Sequence, residues 1–569
     1  MSARKKRWLI KNAAPQQFLA ENSAHSPIIA NLLFQRGLHT QAAVDGFLSS
    51  DYRSGLHDPF LMMGMEAAAR RIAQAIDQRE PIAVYGDFDT DGVTAVTLLM
   101  QVIQAMGGDI RPYIPHRLRE GYGLNTEAID TLAAEGVRLL VTVDCGISNI
   151  QEVAHAHAVG LDVIITDHHT PPDLLPDALA VINPKQPGCT YPYKNLVGVG
   201  IAYKLVQALV RLGLKMPLRG RELLDVVALG TVTDMGPLDG ENRILVKAGL
   251  ESVNTSTRPG LKALIIAAGL MQGTITSSDI GFMLGPRLNA AGRLDDAVLS
   301  YQLLLSETDA DAMRLAQTLN EANLRRQKLT KEVQAAALAQ VQATGKQANR
   351  VVVLDAAEYP AGVVGLVASR LVEELARPVL LIERGEATSR GSGRSVPGFN
   401  IVEALGTCAD LFERYGGHAA AAGFTIATSR IAELEQRLQA YAADRLPDKP
   451  ESEIEIDAEV PLKALSWDLL SELGALEPFG QGNPQPTFMS SRVQVINAAT
   501  RGVDGQHLKL KLDDGQGGPS FDAIAFRLGH LAGYFAKHPW LDIIYTFEAH
   551  KWNGQSNLQL NVKDLRRAQ

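Results

Sequence analysis

The chain has 569 residues, 46% of them apolar and 21% charged. At about one domain per 150 residues this is enough for roughly three to four domains, each with its own core, which excludes a peptide hormone, a disulfide-stapled miniprotein and a disordered chain. The formal net charge of −8 leaves no global electrostatic footprint for nucleic acid, so any polyanion must be met by local basic patches or by metal ions.

Residues 1–10 are basic, but polar Asn12, Gln16 and Gln17 follow instead of an apolar core, and no uncharged apolar run reaches membrane-spanning length. Cys145, Cys189 and Cys408 are far apart and lack Cys-x-x-Cys spacing, which fits a reducing compartment. The expectation is a soluble cytoplasmic protein without membrane association. Residues 1–50 predict a helical cap, with Ile28, Ile29, Leu32, Leu33 and Phe34 running to a stop at Arg36-Gly37, then Ala42, Val44, Phe47 and Leu48 on a second short pattern.

Residues 51–306 predict an α/β domain. Ala68, Ile72, Ala73 and Ile76 have helical spacing, and from Pro81 the texture turns to the short buried strand Ile82 to Tyr85. Strands at Leu139 to Val143 and Val163 to Thr166 follow, separated by helix-like stretches at Asn125 to Glu135 and Ile150 to Val159. Such alternation implies a parallel sheet. The strands lead into acidic groups: Asp87, Asp89 and Asp91 after the first, Asp144 after the second, Asp167 with His168 and His169 after the third. Open parallel sheets bind ligands beyond the carboxyl ends of their strands, where separate segments converge.

Residues 307–345 predict one long connecting helix: no proline interrupts Glu307 to Gln342, the interior is rich in good helix formers, and Gly345 ends the pattern. A smaller α/β domain is expected over 346–448, with strands at Val351 to Leu354 and Val379 to Ile382 and a helix at Val363 to Leu375. After Asp448-Lys449-Pro450, residues 449–569 return to period-two alternation at Ile454 to Asp457, His507 to Leu512 and Asn557 to Val562, a small β-barrel.

Gly86-Asp87-Phe88-Asp89-Thr90-Asp91-Gly92 packs three carboxylates into five residues, which repel unless protons or cations neutralise them. A solvated Asp-rich turn is the ordinary explanation of such a run, but this one directly follows a buried strand, and no bidentate Glu completes a calcium loop. Taken singly, Asp144 and Asp234 are better explained as helix caps, and a histidine pair as structural. Together, these segments supply enough ligands for two divalent cations, and a mixed Asp/His shell favours Mn²⁺ or Mg²⁺. Two such ions about 3.5–4 Å apart can clamp a phosphate through an in-line displacement. Hydrolysis of a phosphate ester or anhydride follows.

Asp87-x-Asp89-x-Asp91-Gly92, Asp144, Asp167-His168-His169 and Asp234 resemble the ordered motifs of the DHH phosphoesterase superfamily. Many members place a histidine four residues before the Asp-x-Asp pair, where this chain has Tyr85, and Asp87 substitutes as in the exonuclease branch. Gly285 to Arg293, Gly391 to Ser395, Gly416-Gly417-His418, Ala421 to Phe424 and Pro478 to Pro484 resemble the RecJ family of that branch. The likeness runs from about Trp8 to the last strand. It implies a DHH catalytic domain, a DHHA1-type domain and an OB-type barrel, and processive 5′-to-3′ degradation of single-stranded DNA to mononucleotides with Mn²⁺ or Mg²⁺ in recombination and repair. It further implies Asp87, Asp89, Asp91, Asp144, His168 and Asp234 as metal ligands, His169 near the scissile phosphate, and Asp167 orienting its neighbours. Single-strand-binding protein and a DNA helicase are the implied partners, with the chain a monomer.

Ser392, Arg394, Ser395, Gly417 and His418 lie on or beside glycine-rich turns that can bring backbone N–H groups and charged donors to phosphates, though ordinary turn chemistry explains glycines equally well. Arg287 and Arg293 flank Asn289 at a spacing that suits two successive phosphates, where lone arginines are by default surface ion pairs. The loop with His116, Arg117, Tyr122 and Asn125 is read as a substrate gate or a plain connection. The barrel offers Lys509, Lys511, Arg527, Lys551, Phe521, Phe526 and Trp552 to a single strand, although barrel aromatics are more often core. Two rivals stand: a small-substrate DHH phosphodiesterase, which the barrel disfavours, and a catalytically silent DHH-fold replication module, which the full acidic set disfavours.

Overall fold

The protein is described by a computed structural model over residues 6–117, 119–448, 453–535, 539–552 and 555–568, with backbone only at Lys551 and Trp552. The strand-binding side chains expected at Lys551 and Trp552, and the boundary dipeptide Lys449-Pro450, lie outside the described residues.

The chain opens with strand β1 (Arg7–Ile10) and three short helices. The body expected to be catalytic is a parallel sheet of β2 (Ile82–Gly86), β3 (Ile110–Tyr113), β4 (Leu139–Val143), β5 (Asp162–Thr166) and β6 (Ala180–Ile182), ordered β3-β2-β4-β5-β6. The strands β2 and β4 are buried throughout, as continuous apolar runs covered on both faces should be. Separate clusters of apolar side chains pack on the two faces, one around Val84, Val141 and Ile164, the other around Ala83, Leu140 and Ile165. The sequence pattern missed β3 and β6, because each is a short edge strand and β3 carries Arg111 and Pro112 in partly exposed positions.

The helix Asp309–Thr344 is capped by Thr308 and closed by Gly345 in the left-handed region at φ 69°. Its first half packs on the catalytic body through Leu315 and Leu319, its second on the smaller domain through Val333, Ala337 and Val341. That domain is a mixed sheet of β7 (Val352–Ala356), β8 (Val379–Glu383), β9 (Thr388–Arg394), β10 (Phe412–His418) and β11 (Ala421–Ala427), ordered β10-β11-β9-β8-β7, with only β7 and β8 parallel. Here the structure corrects the expectation of turns: Gly391 to Arg394 lie in β9, and Gly416-Gly417 lie in β10. The glycine at 391 serves packing, since a Cβ there would lie 2.1 Å from the ring of its cross-strand partner Phe424.

The C-terminal part begins with β12 (Glu453–Ile456) and β13 (Ala458–Glu459). The strands β14 (Phe488–Arg501), β15 (His507–Asp513), β16 (Phe521–Ala525), β17 (Trp540–Trp552) and β18 (Gln555–Arg567) follow in the order β14-β15-β16-β18-β17, and a β14–β17 pairing closes the barrel. The N-terminal cap belongs to this body: Phe18, Leu32, Leu33 and Val44 share a core with Leu473, Leu476, Phe488 and Tyr545, and β1 pairs in parallel with β12. The chain therefore closes on itself end to end.

Candidate active site

All the strand-end acidic groups meet. Asp87 follows β2 and is buried. Asp89 caps the helix Thr90–Ala105, its Oδ1 accepting from the amides of Asp91 (2.9 Å) and Gly92 (3.2 Å). Asp91, in the first turn of that helix, accepts from the amides of Gly198 (2.6 Å, on Oδ2) and Val199 (2.8 Å, on Oδ1) at the start of the helix Gly198–Arg211. Asp144 sits at φ 60° beyond β4 and caps no helix, the nearby Ile150–Ala158 beginning at Asn149. The helix Leu224–Thr233 ends at Asp234.

His168 Nε2 lies 3.0 Å from Asp144 Oδ1, 3.6 Å from Asp234 Oδ2 and 3.9 Å from Asp91 Oδ2. Three overlapping sets offer ligand atoms within 4.8 Å of one another: Asp87 with Asp89 and Asp144, Asp91 with His168 and Asp234, and Asp144 with His168 and His169. Because Asp144 and His168 are shared between sets, these are adjoining centres rather than separate ones.

The electrostatics are those of a cation site. Burial, then the neighbouring carboxylates, raises Asp87, Asp144 and Asp234 well above the ordinary carboxyl range, and raises Asp91 to about 7. Burial and the adjacent His169 lower His168 to about 3, leaving a neutral imidazole with a free lone pair. Among the described residues, Asp87 Oδ1, Asp144 Oδ1 and His168 Nε2 are buried without a hydrogen-bond partner. Orphaned polar atoms are costly, and three that converge among like charges fit hard divalent cations such as Mn²⁺ or Mg²⁺, with oxygens dominating the donor set.

Asp167 stands behind this layer. Its Oδ2 accepts from the Ile147 amide (3.0 Å), and its Oδ1 from the His169 amide (3.0 Å) and from His169 Nδ1 (2.7 Å). Burial works to raise this carboxyl, and the His169 contacts override it and hold it below its usual range. Burial likewise works against a charged His169, and Asp167 outweighs it to raise that imidazole. Tyr122, from the loop read as a gate, donates to the Asp144 carbonyl (3.3 Å) and lies 3.0 Å from His169 Nδ1.

Tyr85 is structural: its hydroxyl donates to the Gly123 carbonyl (2.9 Å) and accepts from Asn125 (3.1 Å), anchoring the Tyr122 loop. Sequence reasoning missed Lys185, whose Nζ donates to the His168 carbonyl (2.6 Å), and Asn183, which donates to the His169 carbonyl (2.9 Å). It also missed two glycines at close approaches, where a Cβ on Gly198 would lie 2.6 Å from Asp144 Cβ and one on Gly230 2.9 Å from Asp91 Oδ1. The run Gly198-Val199-Gly200 opening a helix was the available signal for the first.

The smaller domain forms the facing wall. His418 at the end of β10 lies over His169. Burial, and the charge of Arg117, push down both Arg293, to about 9, and Arg394. Arg394 donates to Ser392 Oγ (2.7 Å) and the Gly393 carbonyl (2.8 Å).

Other candidates for phosphate contact are engaged elsewhere. Arg287 donates to the Met283 carbonyl (2.6 Å) and Asn320 (3.1 Å), Asn289 accepts from the Thr90 amide (2.9 Å), and Ser395 donates to the Phe399 carbonyl (2.6 Å). Gly417, at φ 143°, is required by the fold, since a Cβ there would lie 2.3 Å from the Ala421 carbonyl oxygen. On the barrel Phe521 is core, Lys509 pairs with Asp522 at 3.0 Å, and Phe526 is exposed.

Comparison with known proteins gives one answer along the chain. The DHH family, N-terminal domain, matches residues 81–231, the DHHA1 domain 348–444 and the RecJ OB domain 456–564. The single-stranded-DNA-specific exonuclease RecJ of Bacillus subtilis (strain 168) is 37% identical over 99% of this chain and 71% of its own length. Crystal structures of RecJ from Thermus thermophilus superpose with TM-scores of 0.85 (in complex with Mn²⁺, 33% identical, 99% of this chain, 80% of that one) and 0.79 (with Mg²⁺, 32% identical, 99% and 79%).

Proposed function

This chain belongs to the RecJ family of single-stranded-DNA-specific exonucleases, and on that premise we propose how its own residues degrade a single strand. It is a metal-dependent exonuclease with Mn²⁺ or Mg²⁺ as cofactor. The observation that carries the reading is the convergence of Asp87, Asp89, Asp91, Asp144, His168 and Asp234 around three unpartnered buried atoms.

In this reading those six residues hold two divalent ions. Bound there, the ions supply Lewis-acid stabilisation of the phosphate oxygens and of an attacking water. The Gly198 and Val199 amides fix the Asp91 carboxylate in place, and Asp167 fixes the ring of His169 through Nδ1, leaving Nε2 for the scissile phosphate. Water adds to phosphorus and the P–O3′ bond breaks. The terminal nucleotide leaves with a 3′-hydroxyl, whose oxygen takes a proton, and the shortened strand keeps the new 5′-phosphate. His169, raised by Asp167, can place the proton on that oxygen.

Arg394, with Ser392 and His418 beside it, would hold strand phosphates from the smaller domain, Arg117 and Arg293 would do so from the body that carries the acidic residues, and Arg287, Asn289, Ser395 and Gly417 would support these segments from behind. A cleft between two bodies joined by one helix, with a barrel of OB type attached, favours a polymeric substrate over a dinucleotide. Exclusion of duplex DNA is then steric. The division into 1–50, 51–306, 307–345, 346–448 and 449–569 belongs to the same reading, supported by the matched family domains and by separate cores, with the first and last segments sharing one. So do 5′-to-3′ polarity, mononucleotide products, a role in recombination and repair, partnership with single-strand-binding protein and a helicase, and a monomer in the cytoplasm. Among the described residues no helix is long and apolar enough to cross a membrane.

The test is a single strand labelled at either end in turn and incubated with Mn²⁺, beside 5′-tailed and blunt duplexes. Release of labelled mononucleotide from the 5′ end at the earliest times, with the blunt duplex resistant, is the expected result. Early release from the 3′ end would reverse the polarity, and equal digestion of the blunt duplex would remove the steric argument.

A further inference from the structure

The segment Pro478 to Pro484 is part of the family resemblance, and nothing in the proposed chemistry uses it. It lies between the helix Trp467–Gly474 and β14, ahead of the barrel strands. It folds as a small hairpin, the Gly480 amide donating to the Asn483 carbonyl (2.9 Å) and the Asn483 amide to the Gly480 carbonyl (3.2 Å). Asn483 pins it: Nδ2 donates to the Leu476 and Pro478 carbonyls (2.8 Å each) and Oδ1 accepts from Arg36 Nε (2.7 Å). Arg243, almost fully buried in the catalytic body, donates to the Leu476 (2.9 Å) and Glu477 (2.8 Å) carbonyls just before the hairpin, and to the Phe47 carbonyl (3.0 Å) of the N-terminal cap. Three segments distant in sequence thereby make one seat.

What the hairpin touches is the loop that follows Asp234. The Leu238 amide donates to the Gln481 carbonyl (2.7 Å). A Cβ on Gly480 would lie 2.7 Å from Leu238 Cδ1, and one on Gly482, itself at φ 74°, would lie 3.1 Å from Pro237 Cβ. The Phe479 carbonyl accepts from Ser277 Oγ (2.7 Å), in the short helix that leads into Ile280–Leu284, whose Gly281 lies against Val232 near the end of the Asp234 helix. The loop itself needs holding: Met235 has φ 59°, a conformation disfavoured for a side-chain-bearing residue. Backbone amides fix the carboxylates of Asp89 and Asp91. No such bond from the described residues holds the Asp234 carboxylate, whose side chain is 25% exposed against 0% for Asp91 and 3% for Asp144.

We propose that the Pro478 to Pro484 hairpin is a positioning element for Asp234, clamping the loop Met235 to Asp239 so that this carboxylate faces His168. The C-terminal part then does more than collect DNA: the segment leading into the barrel sets the geometry of one metal ligand. The inference deepens the proposed function and rests on Asp234 being a ligand.

The test is calorimetric titration of the full-length, DNA-free protein with Mn²⁺, in Gly482→Ala and Asn483→Ala beside Asp234→Asn, with kcat, KM for a single strand and DNA affinity without metal measured alongside. Both hairpin variants should weaken Mn²⁺ binding by about tenfold, the scale for residues that support a ligand from behind, and lower kcat, with DNA affinity within about twofold. Gly480→Ala should act likewise, and Leu238→Ala in the same chain, removing the atom it strikes, should restore Mn²⁺ affinity. If Asp234→Asn weakens Mn²⁺ binding and the hairpin variants bind like the parent, the clamp is overturned. If Asp234→Asn itself binds Mn²⁺ like the parent, the ligand assignment fails instead. Should Gly482→Ala not fold, Asn483→Ala decides alone.

Discussion

His418 of the smaller domain lies parallel to His169 of the catalytic body, ring centroids 6.2 Å apart and planes inclined by 9°. One ring is held by Asp167 and Tyr122 behind the proposed metal ligands, and the other is carried at the end of β10, a strand exposed along most of its length. In the proposed function the scissile phosphate lies beside these two imidazoles. His418→Ala should lower kcat/KM by about tenfold, the scale of one lost aromatic contact, while calorimetric Mn²⁺ affinity stays at the parent value. A parallel fall in Mn²⁺ affinity would place His418 among the ligands instead.

Asp144 belongs to two of the three ligand sets and has a buried oxygen without a partner. Asp144→Asn should cut turnover by more than the roughly 10–100-fold that follows loss of a residue supporting a ligand from behind, and leave most DNA binding. The metal-free variant should also melt higher than the parent near neutral pH, since the cost of burying or protonating that carboxyl is gone. Turnover within a factor of a few of the parent would remove Asp144 from the site.

The raised carboxyls fix a pH response. Unfolded, these aspartates ionise near about 4; folded and metal-free, Asp91 does so at about 7 and Asp87, Asp144 and Asp234 well above the ordinary range. The native state therefore binds more protons between those limits, so this cluster makes the metal-free protein less stable as pH rises from about 4 through neutrality. Mn²⁺ replaces the protons, so its affinity rises with pH. Thermal melts in EDTA and in Mn²⁺ at about pH 6 and about pH 8, either side of the Asp91 value, should show the stabilisation by metal widening at the higher pH. A constant gap would contradict the arrangement.

If Arg394 contacts a phosphate as proposed and Arg287 serves the packing, the two arginines should respond differently to substitution. Arg394→Ala should weaken single-strand binding and reduce the slope of log affinity against log salt by about one unit. Arg287→Ala, which breaks bonds to Met283 and Asn320, should lower the melting temperature and leave the slope unchanged. Salt titrations of the two variants check this, and equal slopes would place both arginines in one class.

Much of this could be read without coordinates. The buried runs Ile82 to Tyr85 and Leu139 to Val143 announced a parallel sheet because strands covered on both faces are apolar at every position, and the proline-free tract closed by Gly345 announced the long helix. The edge strand β3 escaped because a half-exposed edge carries no such pattern, and β6 because three residues are too few to show one. Glycines at 391 and 417 read as turns because composition cannot tell a turn from a strand that makes room for Phe424 or for a neighbouring backbone.

The sequence alone determined which chemistry was available: carboxylates and imidazoles at strand ends, spaced so that a parallel sheet delivers them to one edge. Only the tertiary structure decided which of them face one another, that Asp167 bonds His169, that Arg287 and Asn289 are bonded to neighbouring helices, and that the N-terminal cap packs on the barrel. Residue type and periodicity are local properties of the chain. The meeting of His169 with His418, or of Leu238 with Gln481, depends on sheet register and on how whole bodies dock, which is settled by burial of surfaces far apart in sequence.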